Sequence, residues 1–364
     1  MSKKDNFISE YQLFATIVVT IIGVGIFSYP SSIANSVGND GWIVTIISGA
    51  IVYFLLYAIY KVQKINGFRE FIYIIKDNFG PYIGKIVGIV FVFFNIAIVS
   101  MGMRIFSEVI KMYLMEKTPT EFIILIMILI GTIIIRGGFK NLIKLNELLL
   151  PIIFLPMTFV IIILAAQGDY TNILPVFQNT PFQYIKSIAL TTFAFEGFEI
   201  CYLAMPHVER KSKIPKVIFW SVLYITLAYA IISIVSIAVL GVEQTKLLIW
   251  PTITMIKSIN IPGYFIEQWE GVVMIFWILL YISTFVNLYL FSSVVVKSVF
   301  NLEDIKLSPI LITPFIYVFA MYPENLAQLY SLYENISISA PIFTVVILIL
   351  LLGIISMIKR RGRR

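Results

Sequence analysis

Glu196 and Glu199 flank Gly197 and Phe198 in the middle of an otherwise apolar run from Gln183 to Met205. A charge near the centre of a bilayer costs roughly 2.5 to 3.5 kcal/mol even on mild insertion scales, so it persists where it meets a polar cavity, a proton or a partner. Two carboxylates and a helix-weakening glycine at this depth predict a binding site near the membrane midplane. Bond-making chemistry is not expected. The chain has no G-x-S-x-G, P-loop, H-E-x-x-H or C-x-x-C, and Gly23-Val24-Gly25 lacks the third glycine and preceding strand of a dinucleotide site. His207 is the one histidine, so a histidine-based metal site is excluded, and Cys201 is the one cysteine, so no intramolecular disulfide can form. No enzyme, cofactor or metal is expected.

The elements that must position such a site are membrane helices. Of 364 residues 59% are hydrophobic and 13% charged, too few charges to cover a soluble surface. Apolar runs lie near 11–35, 41–60, 83–113, 121–136, 145–166, 183–206, 215–240, 269–297, 309–322 and 337–358. Each approaches a hydrocarbon core of about 30 Å, and their continuity excludes the alternating pattern of a β-barrel. The predicted fold is an all-α integral membrane protein of ten transmembrane helices, one polytopic unit over 1–364. The run at 309–322 is short and interrupted by Pro314.

Charge sets the expected orientation. Counted loop by loop, 21 Lys and Arg fall on the side of both termini and four on the other, with Arg104 and Lys186 within or at the edge of spans. The positive-inside rule then puts both termini in the cytoplasm. The net charge of +7 reports topology and contact with an anionic leaflet, and nucleic acid is not an expected partner. The first run is too long for a cleaved signal peptide and no small-x-small site follows it.

Gly23 and Gly25 interrupt the first run near its middle, and Glu196 and Gly197 interrupt the sixth. These runs open the two halves of a ten-helix chain, and paired interruptions at matching places point to a midplane site between discontinuous helices. At about 1.5 Å per residue, Gly23, Asn95, Glu196 and Thr284 fall at similar depth. Asn95, Ile98, Val99 and Gly102 share one face of the third run, and Tyr281, Thr284, Asn287 and Leu288 one face of the eighth. Ser283 and Thr284 offer oxygens for an ion opposite the first break. Arg104 and Glu108 are four apart and positioned to pair; the alternative has Arg104 reaching Glu196 or an anionic ligand. Residues 67–80 read as a short helix along the inner surface, and 241–268 as an external segment that could act as a lid.

Gly23-Val24-Gly25-Ile26-Phe27, Phe193-Ala194-Phe195-Glu196-Gly197-Phe198-Glu199, Glu209 and Ile214-Pro215-Lys216 resemble the amino acid, polyamine and organocation permease superfamily. That resemblance implies a five-plus-five inverted repeat, here about 11–166 and 183–358, with an amino acid held between unwound segments of helices 1 and 6. A narrower resemblance spans nearly the whole chain. Asp40-Gly41-Trp42, Leu248-Ile249-Trp250-Pro251-Thr252-Ile253, Phe265-Ile266-Glu267, Trp277 and Ser283-Thr284-Phe285-Val286 resemble the B subunit of bacterial spore germinant receptors. It implies a spore inner-membrane protein that senses a small nutrient germinant, often an amino acid, together with an A-type subunit and a C-type lipoprotein subunit.

Mapped by motif position, the ligand would meet Gly23, Val24, Gly25, Ile26, Phe195, Glu196 and Gly197, walled by Ile98, Thr284 and Leu288, with Asn95 and Asn287 on the same faces. Glu196 stands where related sequences commonly carry a small or apolar residue, which admits a cationic ligand, a bound proton or a lock onto Arg104. An ion- or proton-coupled amino acid or amine transporter shares this fold and is the alternative. Against proton coupling, no lysine lies between Leu145 and Ala166 in the fifth run.

Overall fold

The computed structural model describes residues 7–23, 25–258 and 269–361. Among them the chain is helical throughout, with a single isolated bridge between Ile8 and Val208. Helix α1 (Glu10–Ile21) opens with a capping box: Ser9 Oγ accepts from Gln12 N at 3.1 Å, and Gln12 Oε1 accepts from Ser9 N at 2.9 Å. At twelve residues it is about 18 Å long, short of a membrane crossing. The chain re-forms a helix at α2 (Gly25–Val37), so the first apolar run is two helices with a break between them. Val24, in that break, lies outside the described residues.

A tight turn at Gly38–Asp40 leads into α3 (Gly41–Ile65), then α4 (Phe71–Phe79), α5 (Pro81–Tyr113), α6 (Thr120–Arg136) and α7 (Phe139–Gln167). The sixth run is again split, into α8 (Pro181–Phe193) and α9 (Ile200–Ala204). Next come α10 (Ile214–Leu240), the short helices α11 (Val242–Leu247) and α12 (Pro251–Lys257), α13 (Trp269–Phe300) and α14 (Leu307–Met321). The last run is α15 (Leu326–Phe343), a π-helical stretch Thr344–Leu351, and α16 (Leu352–Arg361). Six stretches among the described residues are long and apolar enough to cross a membrane, with α1 and α14 as shorter apolar helices.

The structure departs from the expected elements in three places. Pro314 does not interrupt α14, which runs through it, and α15 begins at Leu326, well before the expected 337. Pro341 sits inside α15 and withdraws the amide that would bond the Ser337 carbonyl, and wider turns follow at once. The helix expected over 67–80 starts only at Phe71, and its face of Phe71, Ile72, Ile74 and Ile75 is buried within the protein.

Helix α1 is enclosed by α7, α10 and α13, while α5 packs along α13 and α3 along α10. Small residues permit these approaches, as is usual where lipid supplies no hydrophobic drive between helices. A methyl group on Gly49 of α3 would collide with Thr226 Oγ1 of α10. Asp40, from the D-G-W motif, staples α2 and α3 to the segment before α8. Its carboxylate accepts from Phe177 N at 2.7 Å, Gln178 N at 3.2 Å, Asn179 Nδ2 at 2.7 Å and Tyr184 Oη at 2.6 Å.

Candidate functional site

The two helix breaks touch. Between α8 and α9 the six residues 194–199 form tight turns, in which Gly197 adopts φ +105°. A Cβ there would lie 3.1 Å from the Thr20 carbonyl oxygen at the end of α1, so glycine is needed both for the backbone angle and for the approach. Glu199 is buried, and its Oε2 accepts from Gly197 N at 3.2 Å, pinning the turn. Glu196 has neither a hydrogen bond nor an ion pair among the described residues, and its side chain lines a cavity.

On the α1 side the last turn tightens, with Gly23 N donating to Ile21 O at 2.9 Å. Side chains take up carbonyls that the break exposes: Thr284 Oγ1 donates to Val19 O at 2.6 Å and Tyr229 Oη to Ile21 O at 3.4 Å. Below them lies a fully buried polar network. Asn146 Nδ2 donates to Asn287 Oδ1 at 2.8 Å and Thr16 Oγ1 at 3.3 Å, Ser283 Oγ donates to Asn146 Oδ1 at 2.9 Å, and Asn287 Nδ2 donates to Thr20 Oγ1 at 2.9 Å. Helices α1, α7 and α13 are thereby tied at the level of the break.

The cavity, about 730 Å³, runs from this junction between α2 and α8 to Asn35, Ser36, Gln183 and Lys186, near the end that carries the Gly38–Asp40 turn. Of the expected ligand contacts, Gly23, Gly25, Ile98, Glu196, Gly197, Thr284 and Leu288 line it. Ile26, Asn95, Phe195 and Asn287 are not among its lining residues and are buried in the walls behind it. Phe195 stacks edge-on against Tyr229, and Asn287 belongs to the network just described. Of the two residues of the expected ion site, Thr284 lines the cavity and Ser283 does not; their hydroxyls donate to Val19 O and Asn146 Oδ1 respectively.

Tyr281, on the face read in the eighth run, also lines the cavity and forms an aromatic wall with Tyr229, Tyr330 and Tyr333, and Lys186 and Glu334 stand in the same cavity. Tyr281 excepted, these carry no signal in the sequence that sets them apart. Asn146 could have been found: with Leu149, Leu150 and Ile153 it forms a buried face at i, i+3, i+4 and i+7 of α7. Arg104 is paired with Glu108 at 3.2 Å and is not a lining residue. No residue of α11 or α12 lines the cavity, and 259–268, with the Phe265-Ile266-Glu267 motif, lie outside the described residues.

A second cavity of about 330 Å³ lies between α4, α9 and the end of α13, with Glu70, His207 and Lys297 among its lining. Phe71, Phe91, Tyr202 and Phe291 pack with ring centroids 4.7 to 5.2 Å apart beside it. His207 packs tilted against the ring of Phe139, centroids 4.6 Å apart. Burial, then the nearby Lys211 ammonium, hold its imidazole below the ordinary range, so it is neutral at pH 7.

Solved structures that share the fold include transporters. MhsT in complex with L-phenylalanine matches with a TM-score of 0.67 at 15% identity, covering 95% of this chain and 87% of that one. Mhp1, a nucleobase-cation-symport-1 family transporter with bromovinylhydantoin bound, matches with a TM-score of 0.64 at 14% identity, covering 94% and 78%. At such identities the likeness concerns the fold. Among sequence relatives, spore germination protein A2 of Bacillus subtilis (strain 168) is 26% identical over 322 residues, 88% of each chain. Spore germination protein GerLB of Bacillus cereus is 26% identical over 361 residues, 98% of this chain and 96% of that one. The family model described as "Spore germination protein" matches residues 7–329. The chain therefore belongs to the spore germination protein family, as an integral, multi-pass membrane protein with a transporter-like fold and no enzymatic activity.

Proposed function

We propose that this chain is the nutrient-sensing B-type subunit of a spore germinant receptor, and that it binds a small amino acid or related nutrient in the 730 Å³ cavity where its two broken helices meet. One observation carries the reading: Gly197 and the last turn of α1 meet in a cavity that also holds Glu196, a carboxylate with no hydrogen bond or ion pair among the described residues. A ligand ammonium would meet Glu196 and the carbonyl end of α1, and its carboxylate the amides at the start of α2 from Gly25 onward. The ten-span topology, the five-plus-five repeat and the cytoplasmic position of both termini complete the proposal and rest on the hydropathy pattern and the 21 cationic residues on one side. The membrane would be the inner membrane of the spore, and the partners A-type and C-type receptor subunits.

A receptor subunit turns ligand affinity into a shift between two states of an assembly. On that basis the chain should copurify with A-type and C-type subunits and, reconstituted alone in proteoliposomes, show no saturable uptake of an amino acid. The transporter alternative draws support from the fold it shares with MhsT and Mhp1. Ligand-driven accumulation by this chain alone would establish that alternative in place of the sensor.

A further inference from the structure

The I-W-P-T-I piece is the part of the chain with no assigned role. It forms the start of α12, and Pro251, Thr252, Ile253, Met255 and Ile256 are all buried. Thr252 Oγ1 donates to the carbonyl oxygen of Ile26 at 2.9 Å, in a buried contact between positions far apart in the chain. Ile26 is the second residue of α2, and the residue four places on is Pro30. In a regular helix the amide of residue 30 would bond the carbonyl of residue 26; proline has no amide hydrogen to give. An unpaired carbonyl buried this deep would be costly, and Thr252 supplies the donor. Two residues before it, Trp250 Nε1 donates to Tyr330 Oη at 2.9 Å, and Tyr330 lines the cavity from α15.

We propose that Thr252 is a positioning residue for the ligand site: its hydroxyl replaces the amide that Pro30 withdraws from α2, and so sets the place of the cavity-lining turn Gly25–Ser28. Trp250 holds the opposite wall through Tyr330, making α12 a clasp across the two sides of the cavity. The clasp rests on the reading of the cavity as a ligand site only for its effect on affinity; the placement of α2 can be read without any ligand.

The test pairs both readouts in a Cys201→Ser background of the full chain. A cysteine at Ser28, which lines the cavity, reports the turn through its rate of thiol labelling. Equilibrium binding of L-alanine, L-lysine and L-glutamate to the purified protein reports the site. Thr252→Val should raise labelling at least threefold and weaken the tightest-binding amino acid about tenfold, whereas Thr252→Ser should restore both. In a Pro30→Ala background, where α2 regains its own donor, Thr252→Val should have little effect on either readout. Labelling within twofold of the parent in Thr252→Val, or an equal effect with and without Pro30, overturns the clasp. If the parent binds none of the three amino acids while labelling responds as stated, the clasp stands and the ligand-site reading fails.

Discussion

At the scale of single residues, the site depends on atoms that only glycine leaves free. Gly197 combines φ +105° with a Cβ position 3.1 Å from Thr20 O, whereas a Cβ on Gly25 would find Tyr229 Oη at an ordinary 3.7 Å. Gly197→Ala should therefore cost about 1 to 3 kcal/mol in backbone strain and displaced contacts, lowering both thermal stability and ligand response. Gly25→Ala should fold to normal levels and shift the ligand concentration response alone. Thermal melting of the purified variants beside dose–response curves separates the two, and equal loss of protein in both would mean that Gly25 serves packing. Glu196 and Gly197 were legible in the sequence because hydrocarbon penalises a charge and an open backbone so heavily that their presence signals a cavity. The same logic makes Asn287 a ligand contact, yet it is hydrogen-bonded to Asn146 and Thr20. A mid-span amide that faces a pocket and one that ties helices together have the same sequence signature, and only the position of Asn146 on the neighbouring helix separates them.

At the scale of elements, the breaks in the first and sixth runs were legible from composition, since paired glycines and a carboxylate cannot be accommodated in a lipid-facing helix. The start of α15 at Leu326 was not, because Gln328, Glu334 and Asn335 reduce the hydropathy of a segment that stays helical beside α5 and α8. Two contacts between elements make sharp predictions. Gly49→Ala forces a methyl against Thr226 and should lower the melting temperature, and Thr226→Ala, which removes Oγ1 and Cγ2 but keeps the Cβ 2.9 Å away, should restore part of the loss in the double variant. Equal destabilisation with and without Thr226 would place the strain elsewhere. Asp40→Asn removes the charge that gathers four donors and should destabilise the α2–α3 turn against α8 by about 2 kcal/mol, measured by chemical denaturation in detergent. No change in midpoint would show that the staple contributes nothing.

At the scale of the whole molecule, the chain is a spore germination family membrane protein with a transporter-like fold, and the proposed ligand site lies where its two helix breaks meet. The proposed orientation rests on the 21 cationic residues counted on one side of the expected spans. Cysteines introduced at Asn39 and Asn172 in a Cys201→Ser background should react with an impermeant thiol reagent applied outside, and one at Ser212 should not; the reverse pattern would invert the topology. The cavity was legible only as a depth at which polar residues recur, because its tyrosine wall is indistinguishable in sequence from core packing. Its ligand is the central question, and equilibrium binding of neutral, basic and acidic amino acids to the purified receptor, wild type beside Glu196→Gln, addresses it most directly. At least one amino acid should bind the wild type saturably, and Glu196→Gln should change its affinity about tenfold, roughly 1.4 kcal/mol, or reorder the panel. A binding profile that Glu196→Gln leaves unchanged, or saturable binding to neither protein, would contradict a ligand site at the meeting of the two breaks.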